Sequence, residues 1–431
     1  MINKTPIGNR KPRKPELMAP AGTKACLMAA LQAGADAVYF GVGTFNMRSK
    51  AGNFSIQELD EVVQIVHFAG AKAYLTLNTL ILPQEEEPLH RTIEAAAKAK
   101  VDAVIAWDFS VIVAARAAGL EVFISTQMSV ANATAILYFH HNLGIRRFVL
   151  ARECSLSNIS SIRHSLVQEM GEKASEIEIE VFAHGAMCLS VSGRCQLSQF
   201  MSGKSANRGA CQQPCRGTYT ITETHDGKIL QVGDDFTLSP KDLCTLPFLD
   251  QLLSAGVDSL KIEGRQRSIE YVSYVTKSYR RILDICYETS HLPDFSERLA
   301  EAKKEEMICL RQVFNRGFSS GFCFGKPINE WSLGDGNQAT HRKQFIGEVV
   351  NYYKKSAVVA IRLDNSGISI GDEIMVHGST TGCKQSEVTS IEDNLQPVSH
   401  GKKGRTVGVF FPELVRCGDK VYRLIPVSAK T

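Results

Sequence analysis

One phrase recurs along the first 265 residues of this 431-residue chain: a helical pattern, a small-residue turn, then a short apolar strand ending in polar side chains. It reads QAGADAVYFGVG (32–43), FAGAKAYLTLN (68–78), KAKVDAVIAWD (98–108), AAGLEVFISTQ (117–127), LGIRRFVLARE (143–153) and SAGVDSLKIEG (254–264). PELMAPAG (15–22) and IEIEVFAHG (177–185) bring the strands to eight. Gly34, Gly70, Gly119, Gly144 and Gly256 stand where a helix must stop in left-handed backbone. The residues that follow are rich in Val, Ile and Leu, as strands buried on both faces must be.

Amphipathic helices fill most of the gaps. From Ile56 to Ala69, for example, Leu59, Val62, Val63, Ile65 and Val66 form one broad apolar stripe. Strands alternating with helices predict a parallel sheet, and eight of them over about 250 residues suit closure into a (β/α)8 TIM-like barrel, an α/β fold. An open doubly wound sheet is the rival. A barrel places function at the C-terminal strand ends. Those ends read Gly41, Asn78, Asp108, Gln127, Arg152–Glu153, His184–Gly185 and Lys261–Glu263–Arg265, a polar ring.

Residues 266–315 read as helical, with Tyr271, Tyr274, Tyr279 and Tyr287 assigned to packing. After about residue 335 the composition changes. Gln344 to Ile425 holds short alternating stretches separated by Gly, Asn, Ser and Lys, which predict a small antiparallel β-barrel. The expected organisation is a basic N-terminal tail (1–14), the TIM-like barrel (15–325) with an insertion at about 186–250, and the C-terminal β-barrel (340–431).

No run approaches the ~18 apolar residues that cross a bilayer, and Met1 to Lys14 is basic without the apolar stretch of a secretory signal. A cytoplasmic location without disulfides is therefore expected. Net charge is only +4, which permits an anionic partner without demanding one. Local basic patches (Arg10 to Lys14, Arg146–Arg147, Arg265–Arg267, Arg280–Arg281, Lys402 to Arg405) are either anion contacts or solvated charge.

Five of the 12 cysteines crowd the insertion, spaced C-x6-C-x15-C-x3-C-x28-C from Cys188 through Cys195, Cys211 and Cys215 to Cys244. Structural zinc sites usually pinch the ion between paired C-x2-C or C-x4-C knuckles. Iron–sulfur clusters take thiolates from separated loops, and glycines beside the cysteines let backbone N–H groups approach sulfur. The spacing suits an iron–sulfur cluster best, with zinc or unliganded redox thiols as alternatives. Cys26, Cys154, Cys286, Cys309, Cys323, Cys383 and Cys417 read as small buried apolar residues. No G-x-S-x-G elbow, H-E-x-x-H helix, Walker A or Rossmann fingerprint is present.

The segments EVFAHGAMC (180–188) and SGRCQLS (192–198), with NRGACQQPCR (207–216), SPKDLC (239–244) and SLKIEGR (259–265), closely resemble the signature of the peptidase U32 (collagenase-like) family. The resemblance extends over essentially the whole chain. It implies a 4Fe–4S cluster and oxygen-independent hydroxylation, which in the RNA-modifying members depends on prephenate. Carried over by motif, the ligands are Cys188, Cys195, Cys211 and Cys244, with Cys215 as the alternative. The two-domain length is similar to that of members making 5-hydroxyuridine at the wobble position of tRNA. That implies tRNA, a small carboxylate co-substrate and the iron–sulfur assembly machinery as partners.

On that reading Arg152, Lys261, Arg265 and Arg267 are candidate anchors for prephenate carboxylates or RNA phosphate, since guanidinium pairs with either bidentately. Glu153, Glu180, His184 and Glu263 are candidate proton-transfer groups. Each also has a bland reading as part of a structural ion pair. The family label offers another class of function, a collagen-directed protease, which would need an activated nucleophile or a hydrolytic metal.

Overall fold

The computed structural model describes residues 14–49, 51–219, 221–223, 230–232, 236–332 and 336–427. The basic tail expected at 1–14 lies outside these residues except for Lys14, which pairs with Asp284.

Seven parallel strands, β1 (Glu16–Pro20), β2 (Ala37–Phe40), β3 (Lys72–Thr76), β4 (Ala103–Ala106), β5 (Val122–Ile124), β6 (Arg147–Val149) and β7 (Glu178–Ala186), run side by side in chain order. The strand Ser259–Ile262 pairs in parallel with both β1 and β7 and closes them into a barrel. The doubly wound alternative is thereby excluded. Around it stand α1 (Lys24–Gln32), α2 (Leu59–Phe68), α3 (Glu86–Lys98), α4 (Phe109–Ala117), α5 (Ala133–Leu143) and α6 (Leu156–Met170). The five expected helix-end glycines all take positive φ.

Alternation along the strands sorts side chains into two cores. Leu17, Val38, Leu75 and Val104 face the helices. Met18, Tyr39, Tyr74, Ile105 and Phe123 fill the barrel interior. Charges are buried there too. The Arg147 guanidinium sits 4.3 Å from the Phe123 ring centroid and pairs with Glu16, Glu178 and Glu180, while Lys261 Nζ lies 2.9 Å from Glu180 Oε1. A buried charge is tolerated only when paired, so this network fixes which residues can occupy the interior.

The insertion between β7 and Ser259–Ile262 begins with α7 (Leu197–Ser202) and returns through Asp242–Cys244, antiparallel to β7. A short helix, α8 (Leu249–Ser254), then leads to the closing strand. Next come α9 (Ile269–Glu288) and α10 (Phe295–Gln312). Tyr271 and Tyr279 on α9 are fully buried, and Tyr279 Oη donates to Ala183 O at 2.8 Å. These tyrosines pack, as expected.

The C-terminal region forms an eight-stranded antiparallel sheet, with His341–Tyr353 at its centre and Gly382–Glu387 and Gln396–Val398 at its edges. It encloses one core that includes Ile346, Val359, Ile374, Val407 and Val421. The edge strands are not paired with each other, so the expected small barrel stays open along that seam. The sheet docks on α9 through Lys343 and Glu270 at 3.0 Å and a Tyr274–Gln385 hydrogen bond, and on α1 where Gly382 packs against Ala29. Among the described residues no helix is long and apolar enough to cross a membrane.

Arg147→Met removes the cation shared by three carboxylates. It should destabilise the chain by about 3–5 kcal/mol in urea denaturation; a loss below about 1 kcal/mol would show that the interior network is not holding the barrel.

Candidate active site

A cavity of about 560 Å³ opens at the C-terminal end of the barrel, roofed by the insertion. Its floor comes from the strands (Tyr39, Thr76, Ile105, Phe182, Lys261) and its roof from residues 186–216. Cys188, Cys195, Cys211 and Cys215 all line it. Burial pushes the Cys215 thiol up, Arg216 opposes this, and the nearby Cys188, Cys211 and Cys195 push it further. Two of the sulfurs accept backbone N–H groups two residues on: Cys195 Sγ from Leu197 at 3.4 Å, and Cys211 Sγ from Gln213 at 3.3 Å. Cys188 Sγ lies 3.1 Å from Ser190 Oγ. Such donors stabilise thiolate and tune a metal bound to it.

Cys244 does not join them. It lies outside the cavity, 2% exposed, with its Sγ 3.8 Å from Met307 Sδ and 3.9 Å from Tyr279 Oη. Burial pushes this thiol up to about 11, the behaviour of a packed, protonated side chain. The ladder is the cause, because Cys244 pairs opposite His184 on β7 and faces α9 and α10. Of the other seven cysteines, Cys26, Cys154 and Cys286 are buried and Cys309, Cys323 and Cys383 half-buried, whereas Cys417 sits exposed in a turn.

All four cationic candidates line the cavity, and two of them, Arg152 and Arg265, cluster around Glu263 above its floor. Glu263 lies 3.1 Å from Arg48 and 3.8 Å from Arg152. Burial works against its carboxylate, but Arg48, Arg152 and Arg265 outweigh that and hold it below the ordinary pKa. Arg265 is 4% exposed and donates to Thr76 Oγ1 at 2.5 Å, Asn53 Oδ1 at 2.8 Å and Asn46; burial pushes it down to about 10. Its Nε, like that of Arg152, is buried without a partner. Arg152 stacks 3.9 Å over Phe182, and Arg267 stands further out, 3.7 Å over Phe314. Lys261 forms part of the floor.

The four proton-transfer candidates separate. Only Glu263 reaches the cavity. Glu180 is wholly buried beneath Lys261 and serves the interior ion network. Glu153 accepts the Ser192 N–H at 2.9 Å and the Ser192 hydroxyl at 3.0 Å, clamping the turn between Cys188 and Cys195. His184 is 2% exposed among Tyr271, Tyr279 and Phe318, and burial lowers its pKa to about 3. Strict alternation would point it inward with Glu180 and Phe182. A register shift, in which Lys261 pairs with Phe182 but Ile262 pairs with His184, turns it outward instead.

Sequence reasoning missed the loop after β2. Its Asn46, Arg48 and Asn53 hold Arg265 and Glu263. The loop is locked to the cysteine insertion at Gly209, where a Cβ would lie 2.1 Å from Asn46 O. No sequence signal marks this loop, because the partners of Arg48 and Asn46 lie 215 and 219 residues further along the chain. Nothing in the sequence marks Arg216 as more than a basic residue beside a cysteine. It ties the roof together, donating to Met187 O, to Ser239 Oγ at 2.8 Å and to Pro240 O at 2.8 Å.

His184 stays neutral when folded and takes up a proton near pH 6.5 when unfolded, so its contribution to stability is lost as pH falls from about 6.5 towards about 3. Thermal unfolding of His184→Phe should therefore depend less steeply on pH across the acid range than that of the natural chain. Equal slopes would contradict the buried neutral assignment.

The family model for peptidase family U32 matches residues 22–333. A collagenase of Porphyromonas gingivalis is 37% identical over 95% of this chain and 97% of its own. A tRNA hydroxylation protein of Bacillus subtilis is 36% identical over 85% of this chain and 84% of its own. A 23S rRNA 5-hydroxycytidine synthase of Escherichia coli is 36% identical over 63% of this chain and 40% of its own. With the family match spanning most of the barrel and its cysteine-bearing roof, the chain belongs to peptidase family U32.

Proposed function

We propose that the chain is an iron–sulfur-dependent tRNA hydroxylase that forms 5-hydroxyuridine at the wobble uridine and uses prephenate as co-substrate. The observation that carries this reading is the meeting of Cys188, Cys195, Cys211 and Cys215 with an arginine cluster on one cavity. The names of the Bacillus subtilis and Escherichia coli relatives supply the RNA substrate class.

The residues fit a polynuclear cluster. Four thiols ring one cavity, two of them accept N–H groups, and cations outnumber the single lining carboxylate, Glu263. Cysteines drawn from separated turns of one insertion, with N–H donors to their sulfurs, suit a cluster better than the paired knuckles that pinch a structural zinc. Cys188, Cys195, Cys211 and Cys215 would hold a 4Fe–4S cluster, delivered by the iron–sulfur assembly machinery, and it would supply one-electron redox chemistry. Cys215 thus replaces Cys244 in the proposed set.

The remaining groups bind and orient. Arg265 and Arg152 put largely buried positive charge on the cavity wall, which favours a small dicarboxylate such as prephenate. Arg48 keeps Glu263 ionised, so that this carboxylate orients the arginine cluster and cannot donate a proton. Asn78 and Gln127, at the ends of β3 and β5, offer amide groups to the edge of a uracil base.

A peptidase, the function in the name of the Porphyromonas gingivalis relative, requires a nucleophile with an adjacent base or a hydrolytic metal. The described cavity lining contains thiols but no histidine, and Glu263 is engaged by arginines.

Two measurements test the proposal. Anaerobically purified chain should contain about four iron atoms and matching sulfide. Cys215→Ala should lose most of that iron and Cys244→Ala should keep it; the reverse pattern would overturn the ligand set. Deleting the gene should remove 5-hydroxyuridine and its derivatives from tRNA nucleosides analysed by mass spectrometry. An unchanged nucleoside profile would overturn the tRNA assignment.

A further inference from the structure

The roof of the cavity has an outer face that the proposed chemistry leaves unused. From Ala186 to Tyr219 the insertion carries Arg194, Lys204, Arg208 and Arg216 and no Asp or Glu. Arg208 is paired with Glu85 and Arg216 holds backbone carbonyls, whereas Arg194 and Lys204 are exposed. On α7, Leu197 lines the cavity. Phe200 and Met201 follow at i+3 and i+4, on the same helix face, and are 86% and 55% exposed. An apolar stripe therefore runs out of the cavity mouth to solvent, with cations beside it and no carboxylate on the same segment.

We propose that this face receives the single-stranded RNA flanking the target nucleotide, with a neighbouring base stacked on Phe200 and phosphates near Arg194 and Lys204. The proposal rests on the RNA-hydroxylase reading and adds to it where the substrate lands. An enzyme acting on a base must draw that base out of its stack, which leaves the neighbouring base without a partner face. An exposed aromatic ring replaces that face without regard to sequence, and nearby cations track the backbone. The charge of residues 186–219 selects this occupant, because a polyanion meets no carboxylate on that segment.

Fluorescence anisotropy tests this with full-length chain purified anaerobically and a labelled anticodon stem-loop RNA carrying uridine at the wobble position. Phe200→Ala should weaken binding about ten-fold and Phe200→Trp should stay within about two-fold of the natural chain. A blunt duplex of the same stem should bind the natural chain and Phe200→Ala equally. Because Phe200 is 86% exposed, the variants should keep the parent unfolding midpoint. If the natural chain binds the stem-loop and Phe200→Ala binds it equally well, the stacking surface is overturned and the RNA reading stands. If the natural chain fails to bind the stem-loop, both fall together.

Discussion

The Ser259–Ile262 strand is hydrogen-bonded on both sides, to β1 and to β7, and the position of every functional group follows from that double pairing. Closure forces Glu180, Lys261 and Arg147 into an interior that excludes water, where they can exist only as a paired set. It delivers Glu263 and Arg265, the residues just past the closing strand, to the mouth. The register shift between β7 and this strand also rotates His184 out of the barrel, leaving a mouth lined by thiols, amides and cations.

The mouth is electrostatically lopsided, and the insertion completes that imbalance. Glu263 is ionised because Arg48, Arg152 and Arg265 together outweigh the cost of burying it. The roof adds Arg216 and no carboxylate. Such a site favours anions, which is the common character of the proposed cluster, dicarboxylate and RNA. Glu153 contributes from behind by clamping Ser192, so a candidate acid–base residue becomes a support for the cysteine-bearing turn.

The barrel was legible because its signal is repetitive: eight apolar strands, six of them announced by a helix end, leave few other closures. Cys188, Cys195 and Cys211 and the arginines at 152 and 265 were legible as polar or thiol residues at strand ends and in one insertion. What sequence could not carry was which way a side chain turns. Cys244 and His184 belong to neighbouring strands whose pairing directs both towards α9, and that pairing joins residues 60 apart in the chain. Arg48 was hidden for a different reason: its role depends on the Gly209 contact that brings two distant loops together.

The central claim is that the cavity walled by Cys188, Cys195, Cys211 and Cys215 is an iron–sulfur redox site. Anomalous diffraction at the iron absorption edge, from crystals grown and frozen without oxygen, tests it most directly. The account predicts one strong iron peak inside that cavity, bounded by those four sulfurs. A peak beside Cys244, or scattering at the zinc edge with none at the iron edge, would contradict it.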